Sequence, residues 1–140
     1  MSTPPPHLQA RALLAEDEPV LARGLARALQ QLWPGLQLVA VAHDGLAAID
    51  AALGHRPEVL FLDIQMPECT GLEAAHRIVD DWPDGLQLPL IVFITAFDRF
   101  AIQAFELAAT DYVLKPVDPQ RLGQTIERVQ QRLQDRQAQP

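Results

Sequence analysis

The sequence predicts an α/β protein built on one parallel sheet with helices on both faces, and three observations predict it. Short apolar runs alternate five times with segments of helical periodicity, the pattern of successive βαβ units. The run Val59–Leu62 is apolar at every position, as in a strand covered on both faces. Four polar motifs (Glu16-Asp17, Asp63, Thr95 and Lys115-Pro116) each stand where an apolar run gives out. With right-handed crossovers the C-terminal strand ends share one edge, which is where such sheets bind ligands.

The elements follow in order. A first strand over Arg11–Ala15 leads to Pro19, placed at the first turn of a helix that needs no N–H there. That helix carries Val20, Leu21, Gly24, Leu25, Ala28, Leu29 and Leu32 on one stripe of 3.6-residue rhythm. Leu36–Ala42 is the second strand, and Asp44 caps a short helix reaching Leu53. Val59–Leu62 is the third strand. Thr70-Gly71-Leu72-Glu73 has the form of a capping box and opens a helix reaching Trp82. Pro83, Gly85 and Pro89 break the chain before a fourth strand, Leu90–Ile94, and a fourth helix spans about Asp98–Leu107. A short fifth strand, Tyr112–Leu114, precedes Asp118-Pro119, an N-cap with proline at the first helical position. Leu122, Ile126, Val129 and Leu133 then follow at spacings of four, three and four. Trp33-Pro34 and Trp82-Pro83 end helices and serve packing.

With 140 residues and 49% apolar content, the chain fits one globular domain. Residues 1–8, with Pro4-Pro5-Pro6, are expected to be a disordered segment, residues 9–136 the domain, and residues 137–140 a tail. No apolar run has the length of a membrane span, the N-terminus lacks a signal-peptide pattern, and the single cysteine, Cys69, suits a reducing cytoplasm. Cys69 is expected in an exposed loop as a neutral thiol, since no basic residue adjoins it. The four histidines show no zinc-ligand spacing. A net charge of −7 argues against direct nucleic-acid binding, which works by neutralising phosphates. The basic residues Arg121, Arg128, Arg132 and Arg136 are interleaved with Glu127 and Asp135 and read as a solvated helix face.

At the shared edge Glu16, Asp17 and Asp63 would meet Thr95 and Lys115. Each like-charged carboxylate pair at about 4 Å costs roughly 4 kcal/mol at an effective dielectric near 20. One lysine offsets one charge, and the remainder asks for a cation; an all-oxygen set selects a hard one such as Mg²⁺. Asp63 is suited to attack phosphorus and form an acyl phosphate, Thr95 to hydrogen-bond a phosphoryl oxygen, and Lys115 to pair with phosphate as a compact charge. Taken singly, each has a plainer reading: a solvated turn for Asp63, a helix cap for Thr95, a surface lysine for Lys115. Their joint occurrence at matching strand ends favours the pocket.

The strings Leu14-Ala15-Glu16-Asp17-Glu18-Pro19, Leu62-Asp63-Ile64-Gln65-Met66-Pro67, Thr95-Ala96 and Leu114-Lys115-Pro116 resemble the CheY-like receiver domain of two-component response regulators. The resemblance covers about residues 10–135. It implies a flavodoxin-like five-stranded sheet in the order 2-1-3-4-5 with five helices, and Asp63 as phospho-acceptor from a sensor histidine kinase. It further implies Mg²⁺ held by Asp17 and Asp63 directly, by Glu16 through water and by the backbone carbonyl of Gln65, with Thr95 and Lys115 on the phosphoryl group. Tyr112 matches the aromatic switch position, and Lys115-Pro116 is expected in the cis form. Glu16 stands where many receivers have Asp. A phosphatase of similar chemistry needs a second acid near its nucleophile, and two residues after Asp63 stands Gln65. The domain is therefore expected to be a switch with self-catalysed phosphotransfer and dephosphorylation, not a turnover enzyme.

The stretch Ile94–Glu106 together with Asp111-Tyr112-Val113-Leu114 most resembles the LytTR (LytR/AlgR-type) subgroup, whose members carry a DNA-binding output domain. Such an output domain lies outside this chain, which is either a cut-down form or a stand-alone receiver. Phosphorylation is expected to drive a homodimer through the fourth helix, fifth strand and fifth helix. Ile102 and Phe105 are the apolar candidates for that interface, and Arg99, Asp111 and Arg121 the charged ones. Phe97, two residues past Thr95, either covers the phosphoryl pocket or packs on the fourth helix.

Overall fold

A computed structural model describes residues 8–138 of the chain. Its elements are β1 (Ala10–Ala15), α1 (Pro19–Leu32), β2 (Leu36–Ala42), α2 (Gly45–His55), β3 (Val59–Leu62), α3 (Gly71–Asp81), β4 (Leu90–Thr95), α4 (Ala101–Glu106), β5 (Asp111–Leu114) and α5 (Pro119–Ala138). The strands form one parallel sheet in the order β2-β1-β3-β4-β5, as expected. Register explains how distant motifs meet. Ala15 lies opposite Leu62, so Glu16 and Asp63 leave neighbouring strands side by side. Thr95 lies opposite Leu114, which brings Lys115 to the same edge.

Side chains alternate across the sheet and feed two cores. Leu13, Leu60, Leu62 and Phe93 pack with Ala48, Ile49, Ala74 and Ile78, the buried faces of α2 and α3. Leu14, Phe61 and Val92 point the other way, to Leu25, Leu29 and Trp33 at α1 and to Leu122, Ile126 and Val129 of α5. Phe61, Phe93 and Trp33 are among the largest fully buried side chains; each such aliphatic or aromatic group contributes about 1.5–3 kcal/mol of burial. Both tryptophans pack as expected, with Nε1 of Trp33 donating to the Leu8 carbonyl at 2.6 Å and Nε1 of Trp82 to that of Gln87 at 2.9 Å.

The expected caps form. The Asp44 carboxylate accepts from Ala47 N–H at 2.7 Å. Thr70 and Glu73 exchange reciprocal bonds of 3.1 Å in a capping box, and Asp118 accepts from Arg121 N–H at 3.1 Å.

Several boundaries and faces differ from expectation. The buried positions of α1 are Ala22, Leu25 and Leu29, whereas Val20 is 70% exposed. With Ala22, Leu25 and Leu29 buried, Val20, Leu21, Gly24 and Ala28 line a groove with Pro116 and Val117. The fourth helix starts at Ala101, not Asp98, because residues before it form a turn in which Arg99 lies against the rings of Phe97 and Phe100. α5 continues through Ala138, past the boundary expected at Arg136. The disordered segment expected over residues 1–8 falls outside the described residues except for Leu8, which packs on the core.

Candidate functional site

The site grows from four strand ends. β1 delivers Glu16 and Asp17, and Glu16 N–H continues the ladder by donating to the Ala42 carbonyl at 2.9 Å. β3 delivers Asp63, whose N–H donates to the Ala15 carbonyl at 2.9 Å. Backbone pairing therefore fixes both carboxylates before any side chain acts. Glu16 is 1% exposed and Asp63 is buried, while Asp17 is half-buried. Carboxylate oxygens of Glu16, Asp17 and Asp63 lie within 4.8 Å of one another. Lys115, entering from the end of β5, donates from Nζ to Glu16 Oε1 and, at 2.8 Å, to Asp63 Oδ2. The other oxygens take backbone donors: Glu18 N–H to Glu16 Oε2 and Gln65 N–H to Asp63 Oδ1, both at 3.2 Å.

The loop after Asp63 is held by close backbone contact. Gly71 N–H donates to the Ile64 carbonyl at 2.8 Å. A Cβ on Gly71 would lie 2.0 Å from the Asp63 carbonyl oxygen, so only glycine lets α3 begin there. Gly45 stands equally close to the Cys69 backbone, with a notional Cβ at 2.2 Å from its carbonyl oxygen. Cys69 is buried in this contact rather than exposed, and burial pushes its thiol above the ordinary range, which keeps it neutral.

Charge is unbalanced in the pocket. Burial pushes the Asp63 carboxyl up, and the hydrogen bond from Lys115 only partly opposes this. Asp17 is also raised, by burial and by the neighbouring Glu16 carboxylate. For Glu16 burial acts upward too, but the bonds from Lys115 and from Glu18 N–H outweigh it and hold the group low. Lys115 is raised, because its two carboxylate partners outweigh its own burial. The donor set is all oxygen and carries excess negative charge, which fits a hard divalent cation.

Thr95 is fully buried at the end of β4, and its Oγ1 accepts from Phe97 N–H at 3.4 Å. Tyr112 packs half-buried against Phe93 and donates its hydroxyl to the Phe97 carbonyl. Phe97 itself meets Phe100 edge-on, with ring centroids 6.3 Å apart, on the α4 side. The Lys115-Pro116 bond is cis, as expected.

The interface candidates divide. Ile102 and Phe105 are 74% and 61% exposed on α4, and Arg99 stacks on Phe97 and Phe100 at 4.6 and 4.8 Å from the ring centroids. Asp111 is instead buried, at 5% exposure. Arg121 forks across it with two bonds of 3.0 Å, Thr125 Oγ1 donates to it at 2.7 Å, and Arg128 lies 3.0 Å away. Burial would raise Asp111, but the bonds from Arg121 and Thr125 hold it below the usual carboxylate range. Two of the four arginines read as a solvated face thus pair internally, and Arg136 donates to the Leu88 carbonyl at 2.9 Å. The signal for this was the spacing of Arg121, Thr125 and Arg128 on one helical face, opposite an acid that opens β5.

A family model described as the response regulator receiver domain matches residues 12–127. Among curated relatives, an uncharacterized response regulatory protein of Vibrio cholerae is 46% identical over 122 residues, covering 87% of this chain and 45% of the relative. The transcriptional regulatory protein BtsR of Escherichia coli is 43% identical over 121 residues, 86% of this chain and 48% of BtsR. The chain thus spans about half the length of the curated relatives it matches. Among solved structures, the receiver domain of AraT, a response regulator from Geobacillus stearothermophilus, superposes with a TM-score of 0.80 at 33% identity, covering 93% of this chain and 99% of that one. The response regulatory domain of mrkE from Klebsiella pneumoniae also gives 0.80, at 28% identity and 89% and 98% coverage.

Proposed function

The chain belongs to the response regulator receiver domain family, and from that premise we propose that Asp63 is its phospho-acceptor, with Thr95 and Lys115 holding the transferred group. Receiver domains of two-component response regulators act as phospho-acceptor switches and are phosphorylated by sensor histidine kinases. The observation that carries the assignment is the Lys115 ammonium bridging Glu16 and Asp63 inside a cluster of three carboxylates.

Asp63 attacks the phosphorus of the kinase's phosphohistidine in line. An O–P bond forms as the N–P bond breaks, the imidazole leaves with the bonding pair, and Asp63 becomes a mixed anhydride. Asp17, Asp63 and the Gln65 carbonyl would hold a Mg²⁺, with Glu16 assisting through water, and the ion would neutralise charge on the phosphoryl oxygens. Lys115, already 2.8 Å from Asp63 Oδ2, transfers its contact to a phosphoryl oxygen. Thr95 Oγ1 accepts from Phe97 N–H, which leaves its own proton free for donation. Hydrolysis of the anhydride, self-catalysed, resets the switch.

Drawing Thr95 and Lys115 toward the phosphoryl group moves the ends of β4 and β5, and Tyr112 follows as the switch residue. The expected output is a two-fold dimer on α4, β5 and α5, with exposed Ile102 and Phe105 as apolar contacts and Arg99 beside them. Sedimentation with and without beryllofluoride checks this, a monomer in both states being the contrary result. The domain, expected over residues 9–136, extends through Ala138, where α5 ends. No helix among the described residues is long and apolar enough to cross a membrane; we place the protein in the cytoplasm, without direct nucleic-acid contact by this domain. The relative named as a transcriptional regulator supports gene control through a part outside these residues. The LytTR resemblance rests on Ile94–Glu106 and Asp111–Leu114 alone, and neither curated relative described above is named as a member of that subgroup.

The test is intact mass after incubation with acetyl phosphate and Mg²⁺. A gain of one phosphoryl group is expected, absent in Asp63→Asn; equal labelling of that variant would overturn the assignment.

A further inference from the structure

Tyr112 is tied at both ends. Its N–H donates to Asp111 Oδ1 at 2.8 Å, and its carbonyl accepts from Arg121 Nη2 at 3.2 Å. The same guanidinium spans both oxygens of Asp111 and reaches Thr125 Oγ1 at 2.8 Å. One ion pair at the start of α5 therefore fixes the whole peptide backbone of Tyr112. At its other end the Tyr112 hydroxyl donates to the Phe97 carbonyl. Phe97 N–H in turn donates to Thr95 Oγ1 at 3.4 Å. Thr95 is fully buried and β-branched, so few χ1 rotamers are open to it, and the bond accepted from Phe97 occupies one lone pair and biases the hydroxyl proton to the other side.

We propose that Arg121 is a positioning residue for the phosphoryl pocket, acting through Asp111, Tyr112 and Phe97 to orient the hydroxyl of Thr95. The inference rests on the reading of Thr95 as a phosphoryl contact. It replaces an exposed interface role for Arg121 with an inward one. The fork is essential, because a lysine in its place offers a point charge that cannot span both Asp111 oxygens and the Tyr112 carbonyl together.

The experiment measures beryllofluoride affinity in saturating Mg²⁺, and Mg²⁺ affinity alone, for the full chain. Arg121→Met should weaken beryllofluoride binding at least about fivefold, the low end of couplings between linked sites, with Mg²⁺ affinity unchanged. Thr95→Ala should weaken it too, and adding Arg121→Met to Thr95→Ala should cause no further loss. Arg121→Lys should recover only part of the affinity. Asp111→Asn, which keeps the side-chain shape, should follow Arg121→Met and serves where the latter fails to fold. Wild-type affinity in both variants, full additivity with Thr95→Ala, or an equal loss of Mg²⁺ affinity would overturn the inference. Beryllofluoride binding that is absent in the wild type, or that survives Asp63→Asn, would instead overturn the phosphoryl reading and the inference with it.

Discussion

The pocket around Asp63 and the cluster around Asp111 are built from the same chemistry in opposite proportions. The first sets three carboxylates against one ammonium, the second one carboxylate against two guanidinium groups and a hydroxyl. Asp63 and Asp111 are equally buried, at 5% exposure, yet the first is pushed above the ordinary range and the second held below it. Burial acts the same way on both; the supply of partners differs. A buried acid with its partners in place is a fastener, and one left short is a site awaiting a ligand. The walls differ as well. The backbone of Asp63 is packed against Gly71, whereas the Asp111 carboxylate is met by the ends of the Arg121 and Arg128 side chains.

That difference predicts unequal tolerance, and the largest effect belongs to the rigid wall. Gly71→Ala forces a Cβ to within 2.0 Å of the Asp63 carbonyl oxygen. It should cost about 3 kcal/mol in denaturant unfolding and suppress phosphorylation by acetyl phosphate. Unchanged stability would mean that the pocket wall yields as easily as a side chain.

A smaller effect separates the two acids of β1. Asp17 meets solvent and lacks a lysine partner, while Glu16 is held by Lys115 and Glu18 N–H. Calorimetric titration should show Mg²⁺ binding weakened about tenfold or more by Asp17→Asn, on the order of 1.4 kcal/mol, and less by Glu16→Gln. Equal affinities in both variants and the wild type would show that these acids do not hold the cation.

The smallest effect is the acid response of the Asp111 cluster. Because its pKa is lowered on folding, Asp111 contributes stability that is present above about pH 4 and lost as pH falls through its folded value. Arg121 and Arg128 are partly solvated, which reduces the contribution to about 1 kcal/mol. Unfolding curves from pH 6 downward should therefore fall more steeply for the wild type than for Asp111→Asn. Parallel curves would show that the cluster is not a fastener.

The two regions were also unequally legible in the sequence. Glu16, Asp17, Asp63, Thr95 and Lys115 each end an apolar run, so topology alone carries them to one edge. Asp111 opens a four-residue strand and finds its partners on α5. Whether it faces a helix or another molecule depends on which side of β5 it emerges, and two alternations cannot settle that. The fourth helix was overextended for a related reason: six residues with one buried side chain, Ala104, leave almost no periodicity. Gly71 read as part of a capping box, which it is, but its close approach to Asp63 exists only after α3 has folded back over β3.

Locating the labelled atom tests the central claim most directly, since Glu16 and Asp17 compete with Asp63 for the same phosphorus. Borohydride reduces an aspartyl phosphate to homoserine, and peptide mapping after labelling with acetyl phosphate and Mg²⁺ then identifies the residue. Homoserine is expected at position 63, with intact acids at 16 and 17. Reduction at position 17, the corresponding reduced product of Glu16, or no reduced residue in a protein that gains phosphoryl mass would contradict that claim.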